Sequence, residues 1–218
     1  MKQLQRPMSS PAPSIPTRDQ VGVMSLSFAA GAADVLGLLV LQVFASAVTG
    51  NMAQLAIAIG SGHVLAAARS LCVIVAFALG VLIGKAVGRT PRQLLILELA
   101  CLVAAAALHG AGSPSLQGGS LYASVALLAF AMGVQGRIAQ SGTYAGTTTS
   151  VFTMTVVKVL SAPASNPMAL RALAAFAVGA LLAASLAPYW LDAVIWLPAA
   201  SVLVALACTQ RNADPVRA

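Results

Sequence analysis

The sequence predicts an all-α polytopic membrane protein. About six transmembrane helices are expected, plus two short re-entrant or broken helices, arranged as an inverted 3+3 repeat. Three observations carry this expectation. The 218 residues are 59% hydrophobic and only 8% charged, against about 25% charged in a soluble domain, so the chain cannot cover its own surface in water. Several apolar stretches approach or exceed the ~20 residues a helix needs to cross a bilayer. The formal net charge of +7 is gathered in tails and loops, where Lys and Arg mark the cytoplasmic side. No basic stripe with interleaved aromatics occurs, so the expected surroundings are the lipid bilayer and not nucleic acid.

The first twenty residues, MKQLQRPMSSPAPSIPTRDQ, are polar and Pro-rich. They read as a disordered cytoplasmic tail and not as a signal peptide, because no apolar h-region with a cleavage site follows directly. Apolar segments then fall at about 21–46, 48–60, 64–88, 93–112, 120–140, 150–161, 168–188 and 190–209. They make one transmembrane domain, 21–209, with halves of about 21–112 and 120–209, followed by a second cytoplasmic tail, 210–218. Segments 48–60 and 150–161 are too short to span and read as re-entrant or half-helices.

Charge placement sets the expected topology. Lys2, Arg6 and Arg18 precede the first span. Lys85, Arg89 and Arg92 separate the third and fourth segments, and Arg137, Lys158 and Arg171 surround the second short one. Arg211 and Arg217 close the chain, whereas loop 113–119 is uncharged and 188–192 holds only Asp192. With both termini cytoplasmic, the first short segment enters from outside and the second from inside. Arg69 is then the one misplaced charge, which a statistical rule tolerates. The Ala-rich composition and short loops point to a bacterial inner membrane.

Each half then reads span, short segment, span, span, in opposite senses, which is an inverted-topology repeat. Short matches agree with it. Phe28–Gly31 (FAAG) opens the first copy and Phe130–Gly133 (FAMG) the second, and VTGN (48–51) and VFTM (151–154) follow at a shared offset.

The breaks supply the candidate site. Gly50 permits departure from helix, and Thr49 and Asn51 are good N-cap residues. TGN therefore reads as the start of a short helix whose free N–H groups form a ready anion site. SGTYAGTTTSVFT (141–153) repeats the pattern with Gly142, Gly146 and a Thr/Ser run, although an ordinary cytoplasmic loop fits it too. Ionisable residues at membrane depth are functional candidates because each is costly. Asp34 is too deep to snorkel. It could pair with Arg137, carry a proton, bind a coupling cation, or serve as a structural hydrogen-bonding group. Glu98 and His109, near opposite ends of the fourth segment, read as solvated, and Lys158 as snorkelling to the cytoplasmic face. The substrate- or ion-binding candidates are Asp34, Thr49, Gly50, Asn51, Gln54, Gln135, Arg137, Thr148, Thr149 and Thr153.

Gly80, Gly84 and Gly88 lie on one helix face and let another helix approach closely. That helix is either within the chain or in a second copy, which would make a homo-oligomer. Cys72, Cys101 and Cys208 read as small hydrophobes without metal spacing. No catalytic motif, metal site or cofactor site is expected.

SFAAGAADVLGLLVLQVFASAVTGNMAQLAIAIG resembles the signature of the YoaK-like family of bacterial integral membrane proteins, a domain of unknown function. A Gly-x-x-Asp element there precedes a Thr-Gly-Asn element; here these are Gly31–Asp34 and Thr49–Asn51. The family's Gly-Met-Gln-Asn element appears as Gly133–Gly136, without the Asn, and its Thr-Thr-x-Val-Thr-Gly-Thr stretch as TTSVFTMT (148–155), without the Gly. The resemblance spans about 20–209. It implies a six-span inner-membrane protein and no settled activity.

Three functions are compatible with these residues. One is a secondary transporter or channel-like carrier of a small solute, an anion among the candidates. The second is a non-transporting assembly or regulatory subunit. The third is an intramembrane enzyme, for which no nucleophile–base pair is visible.

Overall fold

The computed structural model describes residues 17–88, 90–110, 119–140, 152–161 and 167–209. These form eight helices and no strand: α1 (Thr17–Leu41), α2 (Val48–Gly60), α3 (Val64–Val87), α4 (Pro91–Gly110), α5 (Gly119–Gln140), α6 (Phe152–Ser161), α7 (Pro167–Val194) and α8 (Leu197–Thr209). Among the described residues, α1, α3, α4, α5 and α7 are long and apolar enough to cross a membrane, and α2 and α8 are shorter apolar helices. The protein is therefore a polytopic helical membrane protein. Residues 1–16 and 210–218, Thr148, Thr149, Gly142 and Gly146 lie outside the described residues, and residues 17–20, expected in the first tail, open α1.

Two expected boundaries move. The first span ends at Leu41 and not near residue 46, because the chain reverses at Gln42, which adopts left-handed backbone (φ 59°). The last span was expected over 190–209. Helical geometry does break at Trp190 (φ −142°, ψ 49°), two residues after Pro188. Residues 191–194 then resume as helix, and the chain tightens at Ile195–Trp196, where the Trp196 N–H donates to the Ala193 carbonyl (3.2 Å), before α8 continues. A proline has no N–H to donate and clashes with the preceding turn, so a bend beside Pro188 is the expected consequence. Tyr189, Trp190 and Trp196 are exposed around this bend; these residue types favour the membrane–water interface.

Helix ends follow local chemistry. Before α4, the Thr90 N–H donates to Gln93 Oε1 (3.1 Å) and the Gln93 N–H to Thr90 Oγ1 (3.3 Å). This is a capping box, with Pro91 at the first helical position. Between α2 and α3, Gly62 takes φ 73°. The His63 N–H reaches the Ala58 carbonyl (2.8 Å) and the Gly62 N–H that of Ile59 (3.1 Å). That pair of bonds closes a helix end onto a left-handed glycine.

The long helices interlock through one repeated device. Phe-Ala-x-Gly occurs four times, at 28–31, 77–80, 130–133 and 176–179, and takes up four of the six phenylalanines. A Cβ on Gly31 would collide with the Phe176 carbonyl, and one on Gly179 with the Phe28 carbonyl. Gly80 and Phe130, and Gly133 and Phe77, are related in the same reciprocal way. Thus α1 crosses α7, and α3 crosses α5, with backbone against backbone, as small residues allow where lipid gives no hydrophobic drive. Further along α3, Gly84 faces Arg137 and Leu94, and Gly88 faces Leu94. The glycine face of α3 thus packs against α4 and α5 of the same chain. Helices α1 and α5 are the most buried; α8 packs on α1, α4 on α5, α2 on α3 and α6 on α7.

Candidate functional site

The first break lies one turn earlier than the TGN stretch. Residues 42–47 form it, and they run back along the last turns of α1. The Val43 N–H donates to the Gly37 carbonyl (3.3 Å), where a Cβ on Gly37 would press on Val43 O (2.6 Å). Three residues on, the Ser46 N–H donates to Asp34 Oδ1 (2.6 Å) and Ser46 Oγ to Asp34 Oδ2 (2.7 Å). Then α2 begins at Val48 with Ala47 as its N-cap, and no side chain caps it.

This corrects two expectations. Thr49 and Asn51 are not N-caps: they sit inside the first turn of α2, because the helix starts before them. Gly50 is helical, and a Cβ there would meet the Phe44 ring at 3.0 Å, so its small size admits that ring. The buried Asp34 carboxylate lies against the segment that leads into α2, bonded to Ser46 two residues before the helix starts. A carboxylate there is favoured by the helix dipole and by the free N–H groups of a first turn. Ala45 and Ala47 contribute N–H groups beside it.

Asn51 is fully buried. Its Nδ2 donates to the Phe44 carbonyl (2.6 Å) and its Oδ1 accepts the Phe44 N–H (2.9 Å). It thus gives Phe44 both hydrogen bonds that a strand or helix neighbour would give, which non-helical backbone inside a bundle requires. Thr49 is exposed. On α5, Gln135 Nε2 donates to the Leu26 carbonyl (2.6 Å), and its Oε1 is buried without a partner among the described residues. Arg137 donates to Gln140 Oε1 (3.3 Å), and no ion pair joins it to Asp34. Thr153 falls in α6, where its side chain is outside the description.

Glu98 departs furthest from expectation. It is not solvated but fully buried, and both carboxyl oxygens lack a hydrogen-bond partner among the described residues. Helix α4 starts at Pro91, so Glu98 lies about 10 Å along it at 1.5 Å per residue. It shares the face of Leu95 and Leu102, which packs in the core and not against water.

One polar cavity, about 270 Å³, opens between the 41–43 turn, α2 and α3. Gln42, Gln54, His63, Arg69 and Ser70 line it. Of these side chains, Gln54 Oε1 and Arg69 Nε are buried with no partner among the described residues. Of the expected binding residues whose side chains are described, Gln54 lines this cavity, and Asp34, Asn51, Gln135 and Arg137 do not. The sequence held the missing signal in Arg69, the charge that disagreed with the topology. A larger groove of about 510 Å³ between α1, α7 and α8 is almost wholly apolar, apart from Arg171 and two serines. Among the described residues no group of His, Cys, Asp and Glu could hold a metal ion.

Neither the curated proteins nor the solved structures contain a match to the chain. The sequence model of one family, described as a protein of unknown function (DUF1275), matches residues 22–208. With nearly the whole membrane domain covered, the chain belongs to the DUF1275 family.

Proposed function

We propose that this protein is an inner-membrane carrier or channel-like protein for a small solute, with both termini cytoplasmic. The solute enters at the cavity between the 41–43 turn, α2 and α3. The observation that carries this reading is the cavity's lining. A guanidinium, an imidazole and two amides converge in an otherwise apolar bundle, and two of their buried atoms lack partners. Ionisable groups at membrane depth are costly, and those that persist mark solute pathways. The doubled-back 42–47 backbone borders the cavity through Gln42 and Val43, as expected of irregular backbone that lines a cavity.

The helix pairings support an inverted repeat. Exchanging α1, α2, α3 and α4 with α5, α6, α7 and α8 carries each main pairing onto another: α1–α7 onto α5–α3, α1–α8 onto α5–α4, and α2–α3 onto α6–α7. Both Phe-Ala-x-Gly crossings join one half to the other and obey the same exchange. In repeat-built carriers, access alternates as one half rocks against the other around a fixed site.

Two-sided access tests this reading. In a variant with Cys72, Cys101 and Cys208 replaced by alanine, Ser70→Cys is treated with a membrane-impermeant anionic methanethiosulfonate. A carrier is modified in right-side-out and in inside-out vesicles. Modification from one face only, or from neither, overturns the carrier reading and leaves a non-transporting membrane subunit.

A further inference from the structure

We infer that the cavity binds a small hydroxycarboxylate, its carboxylate on Arg69 and its hydroxyl donating to Gln54. The inference rests on reading this cavity as the solute site.

The lining supplies one full positive charge, Arg69, and no Asp or Glu. Helix α3, which carries Arg69, is among the apolar spans, and an unpaired guanidinium there is expensive. Its Nε is buried and donates to nothing among the described residues. An anionic oxygen is the acceptor that best repays this, because charge-assisted hydrogen bonds are the strong ones. Gln54, on the same lining, has its Oε1 buried and equally unpartnered among the described residues, and it calls for a donor. A bare anion such as acetate satisfies Arg69 and leaves Gln54 orphaned. A zwitterionic amino acid supplies a donor but brings an ammonium beside Arg69, and no acidic side chain lines the cavity to receive it. A hydroxyl satisfies Gln54 without a second cation. Ser70 and His63 add further hydrogen-bonding groups on the same walls.

Size agrees with a small molecule. The cavity of about 270 Å³ holds roughly nine waters at ~30 Å³ each. It falls just under the ~300 Å³ at which pockets for drug-sized ligands begin.

The test is equilibrium binding by the full-length protein in detergent, titrated separately with glycolate, acetate, glycine and glycolamide. Glycolate is expected to bind about three- to tenfold more tightly than acetate, the worth of one neutral hydrogen bond. Glycine and glycolamide are expected to bind more weakly than both. Arg69→Gln should weaken glycolate by about tenfold or more. Gln54→Leu should leave acetate binding intact and erase the preference for glycolate, which a general loss of fold would not do. Equal binding of acetate and glycolate overturns the hydroxyl contact, and glycine binding as well as glycolate overturns the anion class. Binding unaffected by Arg69→Gln overturns the site. Binding in detergent is independent of passage across a membrane. A transported neutral solute with no glycolate binding therefore sinks this inference and spares the carrier reading. Glycolate binding without transport does the reverse.

Discussion

Ser46 bonds both oxygens of the Asp34 carboxylate, one through its N–H (2.6 Å) and one through its hydroxyl (2.7 Å). The bond pair pins the doubled-back segment to α1 and sets a negative charge against the segment that leads into α2. Asp34→Ala leaves two buried donors unsatisfied and should cost about 3 kcal/mol, given 1.5–3 for each hydrogen bond to a charged group. Ser46→Ala keeps the N–H bond and should cost about half as much. The double variant should be little worse than Asp34→Ala alone, since the two share one interaction. Unfolding in mixed detergent reads all three; full additivity would mean that Asp34 acts elsewhere.

Asn51 and Phe44 give a sharper substitution. Asn51→Asp is nearly isosteric but sets a carboxylate oxygen against the Phe44 carbonyl, now 2.6 Å from Nδ2. The loss should be about 2 kcal/mol or more, since an acceptor is left unpaired in a buried place. Thr49→Ala, on an exposed position of the same turn, should change stability by no more than about 0.5 kcal/mol. Comparable losses for both would contradict the buried amide's role.

The Phe-Ala-x-Gly crossings predict paired glycine effects. Gly31→Ala and Gly179→Ala each force α1 and α7 apart, at about 1–3 kcal/mol for overpacking. Once one helix has moved, the second methyl meets less resistance, so the double variant should fall short of the sum. Gly60→Ala, with nothing within 4 Å of its Cβ, should be neutral or slightly stabilising because alanine is the better helix former. Strict additivity at Gly31 and Gly179 would remove the shared crossing.

The helices were legible because their signals are local. Length, apolarity and Pro or Gly punctuation placed all eight segments, and the split near residue 189 coincides with the bend at Trp190. Half of the crossing device was legible as well: FAAG and FAMG were seen as repeat marks. FALG (77–80) and FAVG (176–179) carry the same letters, yet their pairing across the bundle is a tertiary fact. The site was read less well. Asp34 reads as a costly group and Asn51 as a cap, but sequence spacing cannot say that Ser46 and Phe44 take up their hydrogen bonds. Glu98 reads as solvated from its place near one end of the fourth segment, whereas the face it occupies decides. Arg69 reads as a statistical exception to the charge rule, yet it lines the polar cavity.

Glu98 itself separates cost from use. A buried carboxyl without a partner destabilises its surroundings, and an apolar replacement of similar size is often neutral or stabilising. Glu98→Met should therefore match or exceed the parent in thermal stability, opposite in sign to Asp34→Ala. A clear fall in melting temperature would show that Glu98 has a structural partner outside the described residues.

The carrier reading meets its most direct test in proteoliposomes. Uptake of labelled small anions, cations and neutral metabolites, glycolate among them, is followed with the parent protein, Arg69→Gln and protein-free vesicles. The account predicts time-dependent, saturable uptake of at least one solute, lost or strongly reduced in Arg69→Gln while Thr49→Ala transports normally. No uptake of any solute by correctly folded protein, or uptake indifferent to Arg69→Gln, would overturn the assignment of the cavity as the solute path.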